Sequence, residues 1–430
     1  MTLAFLPVST RAQYITNADT SATLNVGSAW VGGIAPGPAN IAVWNSIVQV
    51  NTSVTLGTNS SWGGIQILNP GGPISILADG NTLTNGTSGI DLSQATVGLT
   101  LDNAIALGAN QTWSVTNSQT LTVAGVISGT SGLTITGGGA VPLGGDNTYS
   151  GGTVINGAIV EPGNASCFGT GGIILTNAYL LFNSSFGNGD IIVNTNYATG
   201  TNTLDLTSQG RGVVLDGSWA GDGTILVTNL SSGATLTFGE NGNGGGSMNN
   251  FTGSIIVDDA NSAGSLRFNN GGGNANTGNA DMTMDLGNSS VTFYSRNNGA
   301  TVNFGALEGG PNTIIKQGSS SSGTTTYYIG SLNENTTFAG EINDAESTSA
   351  QVAITKVGTG TLILSGNNDY TGTTTVSAGT LQIGDGVTSG EGTIGLGSGA
   401  VVNNATLLLN RPDDFSVDNN IGGTGTTVKT

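Results

Sequence analysis

The feature that most limits what this chain can become is a short alternating segment fenced by glycine, asparagine, serine or threonine. Examples are TLNV, TWSV, TLTV, ATLTF, SLRF, TVNF, TLIL and TLQI. Polar and apolar residues alternate with the period of a strand that has one buried face. In TLIL the pattern predicts Leu362 and Leu364 inward with Thr361 and Ile363 outward, and in TLQI it predicts Leu381 and Ile383 inward. No stretch combines helical spacing with helix caps. Glycine supplies 73 of the 430 residues, yet 36% of the chain is hydrophobic, so the glycine marks many tight turns between short strands and not disorder.

One unit recurs. The segment GGGAVPLGGDNTYSGGTVINGAIVEPGN, residues 137–164, aligns with VGTGTLILSGNNDYTGTTTVSAGTLQIGDG once one residue is skipped near Gly152. Leu143, Gly144 and Gly145 match Leu364, Ser365 and Gly366, while Tyr149, Ser150 and Gly151 match Tyr370, Thr371 and Gly372. Shorter echoes, an aromatic residue then a small one then glycine, occur at Phe251-Thr252-Gly253 and Phe338-Ala339-Gly340. The intervals are unequal, so the array is irregular, with insertions. Units that cannot bury an apolar face alone must stack on their neighbours. A parallel β-helix meets that demand, with glycine and asparagine at its corners. A sandwich or closed barrel is the rival, disfavoured because clear two-residue hairpin turns are missing. Coils of about 20 to 25 residues would give roughly 17 to 21 of them.

The stretch GTGTLILSGNNDYTGTTTVSAGTLQIGDG resembles the autotransporter-associated β-strand repeat of large bacterial surface passenger domains. Its pattern is G-x-G-T-L-x-L-x-G-x-N-x-Y-x-G followed by T-x-V-x-x-G-T-L-x-x-G. Gly358, Gly360, Thr361, Leu362, Leu364, Gly366, Asn368, Tyr370, Gly372, Thr374, Val376, Gly379, Thr380, Leu381 and Gly384 fit it. The likeness is strong over residues 355–386 and partial over 111–182, and WVGGIAPGPANIAVWN (Trp30 to Asn45) resembles an opening segment of such proteins. The resemblance implies an all-β, right-handed parallel β-helix with irregular loop insertions. It also implies an exported passenger, displayed at or released from the cell surface, with no catalytic residues. On this reading residues 1–13 are a signal-peptide remnant, 14–110 the N-terminal coils and cap, and 111–182 the first clear repeat region. Residues 183–350 are divergent coils with insertions, and 351–430 a second repeat region that continues or docks beyond its end.

Charge and residue inventory narrow the chemistry. The net charge is -18, and the eight lysines and arginines (Arg11, Arg211, Arg267, Arg296, Lys316, Lys356, Arg411, Lys429) are strewn singly. Nucleic acid, which needs a clustered basic face, is therefore not an expected partner. No run approaches the roughly 20 apolar residues of a transmembrane helix. With no histidine, a Ser-His-Asp triad, a Cys/His pair at the lone Cys167 and a histidine-bearing metal site are all ruled out.

Among acids, Asp258-Asp259 is the best pair for a polysaccharide-cleaving site, but adjacent strand residues face opposite ways and solvated turn acids are the commoner reading. Asp413-Asp414 reads as a turn. Glu341, Asp344 and Glu346 match no calcium loop, and Asp281 and Asp285 lie in a single faint copy of a calcium-binding nonapeptide. The GENGNGGGS stretch lacks the Lys-Ser/Thr of a phosphate loop. Tyr149, Phe251, Phe338 and Tyr370 are read as packing across a corner, with sugar stacking as the alternative.

The expectation is a non-catalytic, exported structural or adhesive rod without a cofactor, its ligand a surface or a glycan bound by insertions within 183–350. A filament subunit that self-associates through its β-helix ends is the alternative. A polysaccharide-active enzyme is a more distant one.

Overall fold

The computed structural model describes residues 12–183, 189–191, 195–207, 212–239, 246–268, 277–296, 299–318, 323–344, 350–387, 396–412 and 416–430. Among them helix is limited to one 3-10 turn at Gly27–Ala29. Parallel strands form a β-solenoid of about 16 turns. That is fewer coils than the 20-to-25-residue expectation, because the coils differ in length: Leu133 pairs with Thr153, whereas Ile225 pairs with Ile255. The chain forms two compact units, Met1–Ile173 and Ile174–Thr430.

In the first unit one parallel sheet runs through Gln13–Thr16, Asn40–Trp44, Ser60–Ile67, Thr82–Leu92, Gln111–Val115, Leu133–Thr136 and Thr153–Asn156. A second runs through Ser53–Thr55, Ile74–Leu77, Leu99–Leu101, Leu121–Val123, Ala140–Leu143 and Ile159–Pro162. Apart from one register shift, between Trp62 and Gly64 in the pairing of Ser60–Ile67 with Thr82–Leu92, the steps are direct and like positions stack. Ala42, Ile65, Ile90, Trp113, Ile135 and Ile155 form one buried column. The buried rings of Trp30, Trp44 and Trp62 pack edge to face or tilted, with centroids 5.6 to 6.2 Å apart. Trp30 satisfies its indole N–H by donating to Leu24 O at 2.8 Å, whereas the buried indole N–H of Trp44 has no partner among the described residues.

In the second unit the longest sheet joins Tyr179–Leu181, Thr201–Asp205, Thr224–Thr228, Ser254–Val257, Gly278–Asp285, Thr301–Glu308, Gly323–Ile329, Ala350–Lys356, Thr374–Val376, Val401–Asn403 and Ile421–Gly422. Another joins Gly189–Ile191, Val213–Leu215, Thr235–Phe238, Ser265–Phe268, Thr292–Ser295, Ile314–Gln317 and Glu341–Asn343. A third joins Thr336–Phe338, Thr361–Leu364, Thr380–Ile383, Thr406–Leu409 and Thr426–Lys429. Between these sheets lies an aromatic column. Trp219 meets Phe238 at 5.7 Å, Phe238 meets Phe268 at 6.4 Å and Phe268 meets Phe293 at 4.9 Å, all edge to face. Phe293 then meets Phe304 at 5.3 Å, and Phe304 stacks on Tyr327 at 6.0 Å.

Candidate functional site

The recurring unit builds the same corner twice. Leu143, Leu364, Leu362 and Leu381 point into the core, each 1% exposed or less. Tyr149 and Tyr370 are fully buried, and each hydroxyl meets a threonine four residues on: Tyr149 Oη to Thr153 Oγ1 at 2.5 Å, and Tyr370 Oη to Thr374 Oγ1 at 2.7 Å. The threonine hydroxyl reaches the following coil, Thr153 toward Phe168 O at 3.4 Å and Thr374 toward Leu396 O at 3.2 Å. Burial pushes both phenols well above their ordinary range.

Two residues before each tyrosine, a buried asparagine ties coils together. Asn147 accepts from Ile127 N–H at 2.7 Å and donates to Cys167 O at 2.6 Å, and Asn368 accepts from Ile342 N–H at 2.7 Å. These are backbone groups of neighbouring coils that have no ladder partner at the corner, so the amide satisfies what the turn leaves open.

Glycine permits the close stacking. A Cβ on Gly145, Gly151, Gly253, Gly340, Gly360, Gly366 or Gly372 would lie 1.9 to 2.5 Å from the backbone of an earlier coil. Gly358 and Gly379 have φ of +68° and +66°. Two glycines escape the sequence reading. Gly169 and Gly397 sit at φ +69° and +63°, and a Cβ on either would lie 2.2 Å from the carbonyl oxygen of Tyr149 or Tyr370. The signal was present as FGTG at 168–171 and LGSG at 396–399.

Phe251 and Phe338, both buried, use a different contact. Their ring tips abut their own turn glycines, Cζ standing 2.8 Å from where a Cβ would sit on Gly253 or Gly340.

Of the acid candidates, Asp259, Asp344 and Asp285 are occupied by backbone N–H groups. The Asp259 carboxylate accepts from the backbone N–H groups of Asn261 (2.9 Å) and Asn229 (3.1 Å) and from the Asn261 amide and Ser262 hydroxyl, and the Asn261 bond above all lowers its pKa. Asp258 is exposed. A carboxyl held ionised in this way is a poor proton donor. Asp344 accepts from Val352 N–H, Thr371 N–H and Thr371 Oγ1, while Glu341 accepts from Asn343. Asp285 caps Gly287 N–H, and Asp281 is exposed. Among the described residues no group of three or more metal-ligating side chains gathers. Asp413, Asp414, Glu346 and most of the GENGNGGGS stretch lie outside the described residues, as do residues 1–11. Cys167 is fully buried, and burial pushes its thiol up, away from nucleophilic use.

Lys356, which sequence alone does not single out, is fully buried at the end of its strand. Its ammonium donates to Val357 O (2.5 Å) and Gly358 O (2.9 Å), and burial pulls its pKa down to about 8.

Comparison with known proteins fits this geometry. The passenger-associated-transport-repeat family matches residues 133–161 and 354–383, the two stretches that carry the tyrosine corners. The chain carries autotransporter-associated repeats. It is also similar to the adhesin BmaC autotransporter of Brucella suis biovar 1 (strain 1330), 38% identical over 89 residues, which is 21% of this chain and 2% of that protein. No solved structure matches.

Proposed function

We propose that this repeat-bearing chain is a non-catalytic part of an exported surface protein, serving as a structural or adhesive solenoid. One observation carries the reading: the residues that define the repeat are spent on stacking. Tyr370, Asn368 and Gly372 are turned to buried hydrogen bonds and close backbone contact, leaving none of them open to a substrate. The family match and the likeness to an adhesin autotransporter support export to the surface and an adhesive role.

Two experiments test it. Antibody labelling of intact cells that carry the native gene should detect the chain without permeabilisation; signal only after permeabilisation would overturn surface display. The full chain should release no product from a panel of neutral glycans, and turnover that disappears in Asp259→Asn would overturn the non-catalytic reading.

A further inference from the structure

The cations look scattered along the sequence, but stacking brings two of them together. Arg267, Tyr294 and Lys316 occupy consecutive strands in direct register, Arg267 opposite Tyr294 and Tyr294 opposite Lys316. All three point outward, since their strand neighbours Leu266, Phe268, Phe293 and Ile315 are buried at 1% exposure or less. At about 4.8 Å per ladder step, the two cations stand roughly 9.5 Å apart with an aromatic ring between them. Ser265 and Thr292 form the outward row beside them, also paired in register.

Neither cation is neutralised. Arg267 and Lys316 have no carboxylate partner among the described residues, and Arg267 Nε is buried without a hydrogen-bond acceptor. In a chain of net charge -18, with 26 acids to 8 bases, two such cations two coils apart on one outward row are set against the general sign of the chain. The ring of Tyr294 lies along the face toward Gly318, where a Cβ would stand 3.3 Å from its Cδ2.

We infer that this row is a binding site for an acidic sugar, a pyranose bearing a single carboxylate. The carboxylate would pair with Arg267 or Lys316, the forked guanidinium favouring a two-point contact. The sugar ring would lie on Tyr294, its hydroxyls within reach of Ser265 and Thr292. A single carboxylate suits the site better than a polyanion does, because a densely charged chain would meet the repulsion of the remaining acidic surface. The site gives the adhesive reading above its ligand class and rests on that reading for its biological sense. Its test, on purified protein, does not depend on surface display.

Calorimetric titration of the full chain with glucuronic acid, N-acetylneuraminic acid, glucose and inorganic sulfate separates the contributions. An acidic sugar should bind about tenfold or more tightly than glucose, and Arg267→Gln or Lys316→Gln should each weaken it by about tenfold. Tyr294→Phe, which keeps the ring, should bind as the parent does, while Tyr294→Ala should lose most affinity. Lys316→Gln removes an outward-facing charge and should leave the circular dichroism spectrum unchanged, so its result stands even if Arg267→Gln misfolds. Equal affinity for glucose and glucuronic acid would overturn the proposal, as would unchanged binding in Lys316→Gln. Sulfate bound as tightly as glucuronic acid would overturn the sugar.

Discussion

At Tyr370 an aromatic ring is fixed to a corner by its hydroxyl and by a glycine of the next coil, whereas at Phe268 an aromatic ring is held by three other rings, Phe238, Phe293 and Phe304. The repeat region joins coils through polar groups at the turns and a largely aliphatic interior, with Trp113 and Phe168 among the exceptions. The divergent region, 183–350, joins them through a column of aromatic side chains. Apolar contact is not directional, so the column tolerates coils of varying length. Hydrogen bonds at a corner do not, because donor and acceptor must meet within a few tenths of an ångström. The repeat motif is therefore visible as a fixed spacing of residue types, and the aromatic column is not.

The sharpest way to break this contrast is to empty the column. Phe268→Ala should cost about 3–5 kcal/mol, the range for truncating a buried phenylalanine. Because a solenoid is held by nearest-neighbour contacts, the loss should appear in hydrogen exchange over the coils around Phe238 to Phe304 and spare the first unit. Uniform loss of protection would show that the column is not a local device.

Exchanging the two kinds of aromatic is the next test. Phe251→Tyr would bury a hydroxyl at a ring tip already pressed on Gly253, costing about 1–3 kcal/mol. The reverse change at a repeat corner, Tyr370→Phe, should cost only about 1 kcal/mol, since Thr374 keeps its bond to Leu396 O. Urea denaturation compares the pair, and equal effects would erase the distinction between corner and echo.

Titration sharpens the comparison further. The pKa of Lys356 falls from 10.5 to about 8 on folding, so the unfolded chain binds the extra proton between those values. Stability should accordingly rise as pH goes from 8 toward 10. Lys356→Met should flatten that rise in thermal melts, and an unchanged slope would assign it to other groups.

The smallest effect is expected at Asp259, whose folded pKa lies below the ordinary 3.8. Its contribution is present above that value and is lost as pH falls through the folded one, so Asp259→Asn should show a slightly shallower acid-induced loss. Its carboxylate is largely solvated, which keeps the difference small.

The alternation in TLIL and TLQI, the corner glycines and the repeated Tyr-x-Gly were enough to read a parallel solenoid, because each reports a local rule with a fixed period. Longer-range pairings were not readable. Phe238, Phe268, Phe293 and Phe304 recur at irregular intervals; only Phe238 and Phe268 are register partners, Phe293 stands opposite Leu266 and Phe304 comes from the facing sheet, so the ring contacts alone show that they share a column. Arg267 and Lys316 look isolated in the sequence for the same reason: a solenoid turns a separation of a coil or two into neighbouring ladder positions. Gly169 and Gly397 could have been found by extending the alignment past the second strand of the unit, where FGTG and LGSG match. Lys356 carries no sequence signal, since its burial depends on carbonyl groups contributed by the turn beyond its strand.

The central claim is that the repeat residues hold one coil to the next. Hydrogen exchange of Asn368→Ala tests it most directly, because Asn368 Oδ1 is the acceptor for the Ile342 amide. The account predicts that exchange at Ile342 and the adjoining turn speeds up by about 5- to 150-fold, in line with losing about 1–3 kcal/mol at a buried N–H, while the aromatic column keeps its protection. An Ile342 amide as slow to exchange in the variant as in the parent would contradict it.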